Sequence, residues 1–277
     1  MTRKMEERNY YKLKKRETGM NGGVKVSKRG QIAIFVIIAI VIIAVILVIM
    51  LYPKIKIITG GTPSPEEFLK SCIVNDVKSS VDLLAKQGGY ANPEGFYVYN
   101  DQKIKFLCYT NEYYKTCVVQ QPMIETHFEQ EMDRILEPKA RDCLTKLKQE
   151  YESRGYSITG NFIDAKTGIE QGKIKVIFNS PLTVTKASTE RFNDFEIGID
   201  SKMSDLLAIA QSIVEFESVY GDSETTAYIQ YYPDLRIEKI KLSEGTKIYK
   251  LSDVITKEEF VFASRSLSWP PGYGVSQ

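Results

Sequence analysis

Residues 173–186, KIKVIFNSPLTVTK, set apolar side chains at every second position from Ile174 to Phe178 and again at Leu182 and Val184. A period of two over this length reads as a β-strand with one buried face. The flanking stretches YSITGNFI (156–163) and RFNDFEIGID (191–200) repeat the period, with turns at Gly172 and over 187–190. Further strands follow at AYIQYY, LRIEKIKL, KIYKLS and EFVFAS. Such runs of strands, separated by helices but without regular βαβ alternation, predict an α+β domain with mainly antiparallel sheet.

Upstream, Ser64-Pro65-Glu66-Glu67 combines an N-cap, a proline at the first helical position and a capping-box glutamate, while Gly88-Gly89 supplies the stop. Between them Leu69, Cys72, Ile73, Val77, Val81 and Leu84 form a stripe at helical spacing. GFYVYN, KIKFLCYT and TCVVQ predict a three-stranded meander over 95–120, turning at Asn100-Asp101 and at Asn111–Tyr114. A second helix is expected from about Pro122, interrupted or kinked at Pro138, with Ala140, Cys143, Leu144, Leu147 and Tyr151 on one face and Gly155 at its end. A third covers 203–219 with Leu206, Ile209, Ile213 and Phe216 directed inward. Possible lobes are 65–155 and 156–265, followed by an irregular tail, 266–277.

Further out, residues 31–52, QIAIFVIIAIVIIAVILVIMLY, carry no charge. As a helix they span about 33 Å, against a hydrocarbon core of about 30 Å, so a transmembrane helix is expected. The formal net charge of +2 hides an asymmetry: residues 1–30 hold ten Lys/Arg and three Glu, whereas residues 53–277 hold 27 Lys/Arg and 32 Asp/Glu. Lys25, Lys28 and Arg29 abut the span, so the positive-inside rule keeps the basic tail 1–30 in the cytoplasm, where it can also meet anionic lipid headgroups. After a linker over 53–64, the domain 65–277 is then extracytoplasmic. No basic stripe interleaved with aromatics lies beyond the span, which disfavours nucleic acid as a partner.

Four cysteines, Cys72, Cys108, Cys117 and Cys143, lie on the outward side, where an even count favours disulfides. A loop over Asn111–Tyr114 sets position 108 opposite 117, pairing Leu107 with Val118 and Tyr109 with Thr116 on the other face. Cys72 and Cys143 remain, each on the apolar stripe of a helix. There is no Cys-x-x-Cys, and His127, the single histidine, has no ligand-like spacing, so no metal is expected. P-loop, dinucleotide and nucleophile-elbow motifs are absent, leaving no cofactor and no catalytic residue to nominate. Seventeen tyrosines are the unusual abundance; Tyr113 and Tyr114, at a hairpin tip, are the best candidates for partner contact. Trp269, beside Pro270 and Pro271, is a second candidate for docking.

Lys28-Arg29-Gly30-Gln31-Ile32-Ala33, directly before the apolar run, resembles the class III signal of archaeal pilins and archaellins. The resemblance implies peptidase cleavage between Gly30 and Gln31. Taken with Gln87-Gly88-Gly89, Arg141-Asp142-Cys143, Ser180-Pro181-Leu182 and Glu259-Phe260-Val261-Phe262, it looks like an uncharacterised family of archaeal membrane-anchored proteins over most of 28–265. Two features depart from pilins: Phe35 stands where they carry a Glu, and Pro53 with its Gly/Pro-rich linker replaces their continuing helix. The expectation is a single-pass cell-envelope protein whose outward domain binds or scaffolds without catalysis, with envelope or pilus proteins or glycans as partners. A processed pilin-like subunit is the alternative, and an envelope hydrolase a more distant one.

Overall fold

The computed structural model describes residues 37–44 and 64–270. Residues 37–44 are helical with exposed side chains, and no helix among the described residues is long and apolar enough to cross a membrane. The rest of the expected span, the basic tail with Lys25, Lys28 and Arg29, the Gly30–Gln31 bond and most of the linker lie outside the described residues.

The described residues from Ser64 onward form one compact unit. It opens with α1 (Pro65–Lys86), whose Ser64 accepts from the Glu67 amide while the Glu67 side chain accepts from the Ser64 amide, the reciprocal cap that the sequence announces. Strands β1 (Phe96–Tyr99), β2 (Gln102–Tyr109) and β3 (Val118–Val119) follow, then α2 (Ile124–Ser153). α2 runs through Pro138 without interruption, because Met132, Leu136, Ala140 and Cys143 keep one buried face on both sides of the proline. Next come β4 (Ser157–Gly160), β5 (Asp164–Glu170), β6 (Lys173–Thr185) and β7 (Thr189–Asp200). The chain continues with α3 (Met203–Tyr220), α4 (Thr226–Tyr231), β8 (Leu235–Lys241), β9 (Thr246–Asp253) and β10 (Glu259–Arg265).

The strands make two sheets. In the smaller, β6 pairs with β7 along one edge and with β5 and then β4 along the other, all antiparallel. Pro181 lies at the register shift between Asn179 and Leu182, where a ladder tolerates a missing N–H. The larger sheet has the order β1-β2-β10-β9-β8, with β3 also on β2, and only β2–β10 is parallel. Strands from 65–155 and 156–265 are thus hydrogen-bonded neighbours, so the chain does not divide into lobes near residue 155. α1 packs on both β10 and β7, and α3 on strands of both sheets, so the helices form a layer between the sheets. Phe128, Met132, Phe178, Ile213, Phe260 and Phe262 belong to this central core. A smaller cluster, Ile104, Phe106, Ile248, Val261 and Ala263 with Tyr97 and Tyr99 packed on it, covers the opposite face of the larger sheet.

Three further expectations require correction. AYIQYY is the helix α4, not a strand; Tyr228 on it shares a 2.7 Å hydrogen bond with Ser212 of α3, and Pro233 ends the segment. Phe216 is 47% exposed, and the inward position beside it belongs to Glu217. The hairpin register pairs Tyr109 with Val118 and Cys108 with Val119, two residues away from expectation. The cause is competition for the backbone. Tyr114 N donates to Ser268 O and Leu267 N to Lys115 O, so the segment before β3 pairs with the chain leaving β10 instead of with β2.

Candidate binding surface

Both disulfides have the expected pairing. Cys72–Cys143 joins α1 to α2 at a Cα separation of 6.0 Å, and Cys108–Cys117 closes the β2–β3 loop at 5.4 Å. Cys117 meets Cys108 despite the shifted register because it lies just outside the two-residue β3, where its amide donates to the Ser266 hydroxyl at 2.9 Å.

The loop that this bridge closes carries Tyr113 and Tyr114, 42% and 52% exposed. Trp269, 155 residues beyond Tyr114 along the chain, stands against them: its ring meets that of Tyr114 edge-on at 5.0 Å and 90°. The Arg265 guanidinium lies over the Tyr113 ring at 5.4 Å and donates to the Thr110 carbonyl. Two regions singled out separately in the sequence therefore form one cluster of aromatic faces with polar tips and a fixed cation. Tyr114 occupies this place with φ 61°, a left-handed conformation uncommon for a side chain of its size.

The C-terminal end of α3 continues the exposed surface. Tyr220 and Phe216 are exposed and pair at 5.3 Å, and Gly221 abuts Leu267 so closely that a Cβ would fall 1.9 Å from Leu267 Cδ1. A glycine is also required there by its φ of 80°. Beneath lies a polar network. The Glu217 carboxylate, fully buried, accepts from Lys247 at 2.8 and 3.0 Å, from the Ser264 hydroxyl at 2.9 Å, from the Ser223 amide at 3.0 Å and from the Tyr249 hydroxyl. The Glu217 carbonyl accepts from Ser266, whose hydroxyl receives the Cys117 amide. This chain of bonds ties α3, β9, the exit of β10 and the disulfide loop into one support for the aromatic cluster.

Electrostatics follow the geometry. Burial, with the Glu217 carboxylate beside it, pushes the Tyr249 hydroxyl far above the ordinary tyrosine range, so it stays a donor. Burial opposes ionisation of Asp222, but hydrogen bonds and charge from Lys239 and Lys247 prevail and hold its carboxyl at about 2. The network is invisible in sequence because Glu217, Lys247 and Ser264 are far apart, and an acid at helical spacing reads as solvated.

Other candidates resolve differently. His127 is half-buried against Tyr90, the two rings tilted by 40° at a centroid distance of 4.1 Å, and burial lowers its pKa. Among the described residues no group of three His, Cys, Asp or Glu is arranged to hold a metal. The Tyr231–Tyr232 pair is exposed at a ring separation of 5.2 Å, with no cation over either ring among the described residues. The chain enters at Ser64 and runs about 33 Å along α1 before Gly88 meets Lys105 on β2, four residues ahead of Tyr109. The chain matches no family model, no curated protein and no solved structure.

Proposed function

We propose that this protein is a single-pass, membrane-anchored cell-envelope protein of archaeal type, whose outward domain binds a partner rather than catalysing a reaction. The uncharged run 31–52 and the basic excess before it support the anchor and its orientation. The observation that carries the binding role is the exposed cluster of Tyr113, Tyr114 and Trp269 with Arg265 over it. Tyr, Trp and Arg are the residues that concentrate energy at interfaces, and here the two tyrosines sit on a disulfide-closed loop against Arg265 and Trp269 before any partner arrives, which reduces the ordering cost of association. The exposure of Tyr113, Tyr114 and Trp269 leaves the cluster open to a neighbouring envelope protein or glycan.

The test is to compare cells carrying the native chain with cells carrying Tyr114→Ala plus Trp269→Ala. Crosslinking on intact cells should recover a partner species with the native chain and lose it with the double variant at equal surface abundance. Equal recovery from both overturns the assignment of the surface. Protease added to intact cells tests the topology separately: the domain should be accessible and residues 1–30 protected.

A second reading, a pilin-like subunit, is favoured by the Lys28-Arg29-Gly30-Gln31 motif alone. It requires a mature amino terminus at Gln31 and filaments on the cell surface; a chain beginning at Met1 excludes it.

A further inference from the structure

A second site is separate from the aromatic surface. Where α1, the end of β7 and the β9–β10 turn meet, a cleft of about 500 Å³ opens to solvent. Its floor is apolar: Ala85, Ile174 and Met203 are each at most 3% exposed. That volume is in the range of small-ligand pockets, about 300–1,000 Å³, and suits a body the size of a dipeptide.

The charges on its two sides differ in sign. The α1 side presents Lys78 and Lys86 with a single acid, Asp82, which is paired to Lys86 at 2.8 Å. Among the described residues Lys78 has no ion-pair partner, which leaves it the uncompensated cation of that wall. The facing side presents Asp200, Glu258 and Glu259 against one lysine, Lys257. Glu259 is paired with Lys250 at 2.7 Å, and the Lys257 ammonium is turned onto the Val254 carbonyl. Glu258 is fixed in place: the Ser201 hydroxyl donates to Oε1 at 2.7 Å and the Lys202 amide to Oε2. Its carboxylate keeps further acceptor capacity toward the cleft.

We infer that this cleft binds a short apolar peptide with both termini free, its ammonium on the Glu258 and Asp200 side, its carboxylate on the Lys78 side and its side chains on the Ala85–Ile174–Met203 floor. The apolar floor supplies affinity and the opposed charges select the zwitterion. An apolar molecule without charges would leave both walls unmatched, and a simple anion or cation would face one wall of its own sign.

The test uses the full chain in detergent micelles and calorimetric titration with leucyl-leucine. One saturable site per chain is expected, with N-acetyl-leucyl-leucine and leucyl-leucine amide each at least about tenfold weaker, since each lacks one charge. Lys78→Ala, an exposed change on α1 that leaves the fold intact, should weaken leucyl-leucine and abolish its advantage over the amide. Glu258→Gln should abolish the advantage over the N-acetyl form. Absence of saturable binding by the native chain overturns the inference, as does binding of the two singly charged forms as tight as that of leucyl-leucine. So does an unchanged preference in both variants.

Discussion

The Lys247 ammonium lies 2.8 and 3.0 Å from the two carboxylate oxygens of Glu217, a side chain with no solvent exposure. The pair links α3 to the middle of the larger sheet. Desolvation of two charges is expensive, and four further donors or acceptors around them offset it.

Removing one member strands the other. Lys247→Met is expected to cost about 3–5 kcal/mol in denaturant titration, because it leaves the Glu217 carboxyl group buried without its partner ammonium. A double change, Lys247→Met with Glu217→Leu, should cost less than the two single changes summed. Additivity would show that the pair is not coupled.

The two disulfides should differ in weight. Closing loops of 71 and 9 residues stabilises by about 4 kcal/mol and somewhat under about 3 kcal/mol in the chain-entropy account. Cys72→Ala with Cys143→Ala is therefore the more damaging pair of changes. Intact mass without reductant should lie about 4 Da below the reduced mass, two protons for each bridge; a smaller difference would mean free thiols.

Tyr114 is expected to separate stability from binding. Its φ of 61° favours glycine, so Tyr114→Gly should leave the domain as stable as before or more stable by about 0.5–1 kcal/mol. The same change deletes the ring against Trp269. A large loss of stability would identify Tyr114 as a structural residue instead.

Acid should loosen the domain in two steps. Burial lowers His127 below its usual value, and Asp222 is held at about 2, so for both groups the unfolded chain binds more protons as pH falls. The His127 contribution is complete above about pH 6.5 and declines below it; that of Asp222 is complete above about pH 4 and is lost as pH falls through about 2. The Asp222 side chain is 48% exposed, so screening keeps its share small. Carboxyl NMR titration should show the Asp222 midpoint rise on Lys239→Ala; an unmoved midpoint would remove the lysine from the account.

Local signals determined a large part of this architecture. Ser64 and Glu67 name the start of α1 because capping is a contact across three residues. The alternation in 173–186 names β6, since a strand with one covered face must place apolar side chains at every second position. The cysteine pairing was legible because Cys108 and Cys117 are close in sequence and Cys72 and Cys143 each lie on a helix stripe, even though the hairpin register expected for the first pair is not the one formed. The chemistry of an uncharged 22-residue run is equally a property of the sequence. What sequence could not decide depends on competition between distant segments. The strand register at Cys108 was set by residues 266–268, which captured the backbone before β3. Phe216 was turned out and Glu217 turned in because Lys247, Tyr249 and Ser264 arrive from two other strands to satisfy a buried carboxylate. Tyr114 and Trp269 became one surface by the same return of the chain beside the loop. Hydrophobic period and capping are written in neighbouring residues, whereas partners for backbone and charge are chosen only when the tertiary fold brings the competitors together.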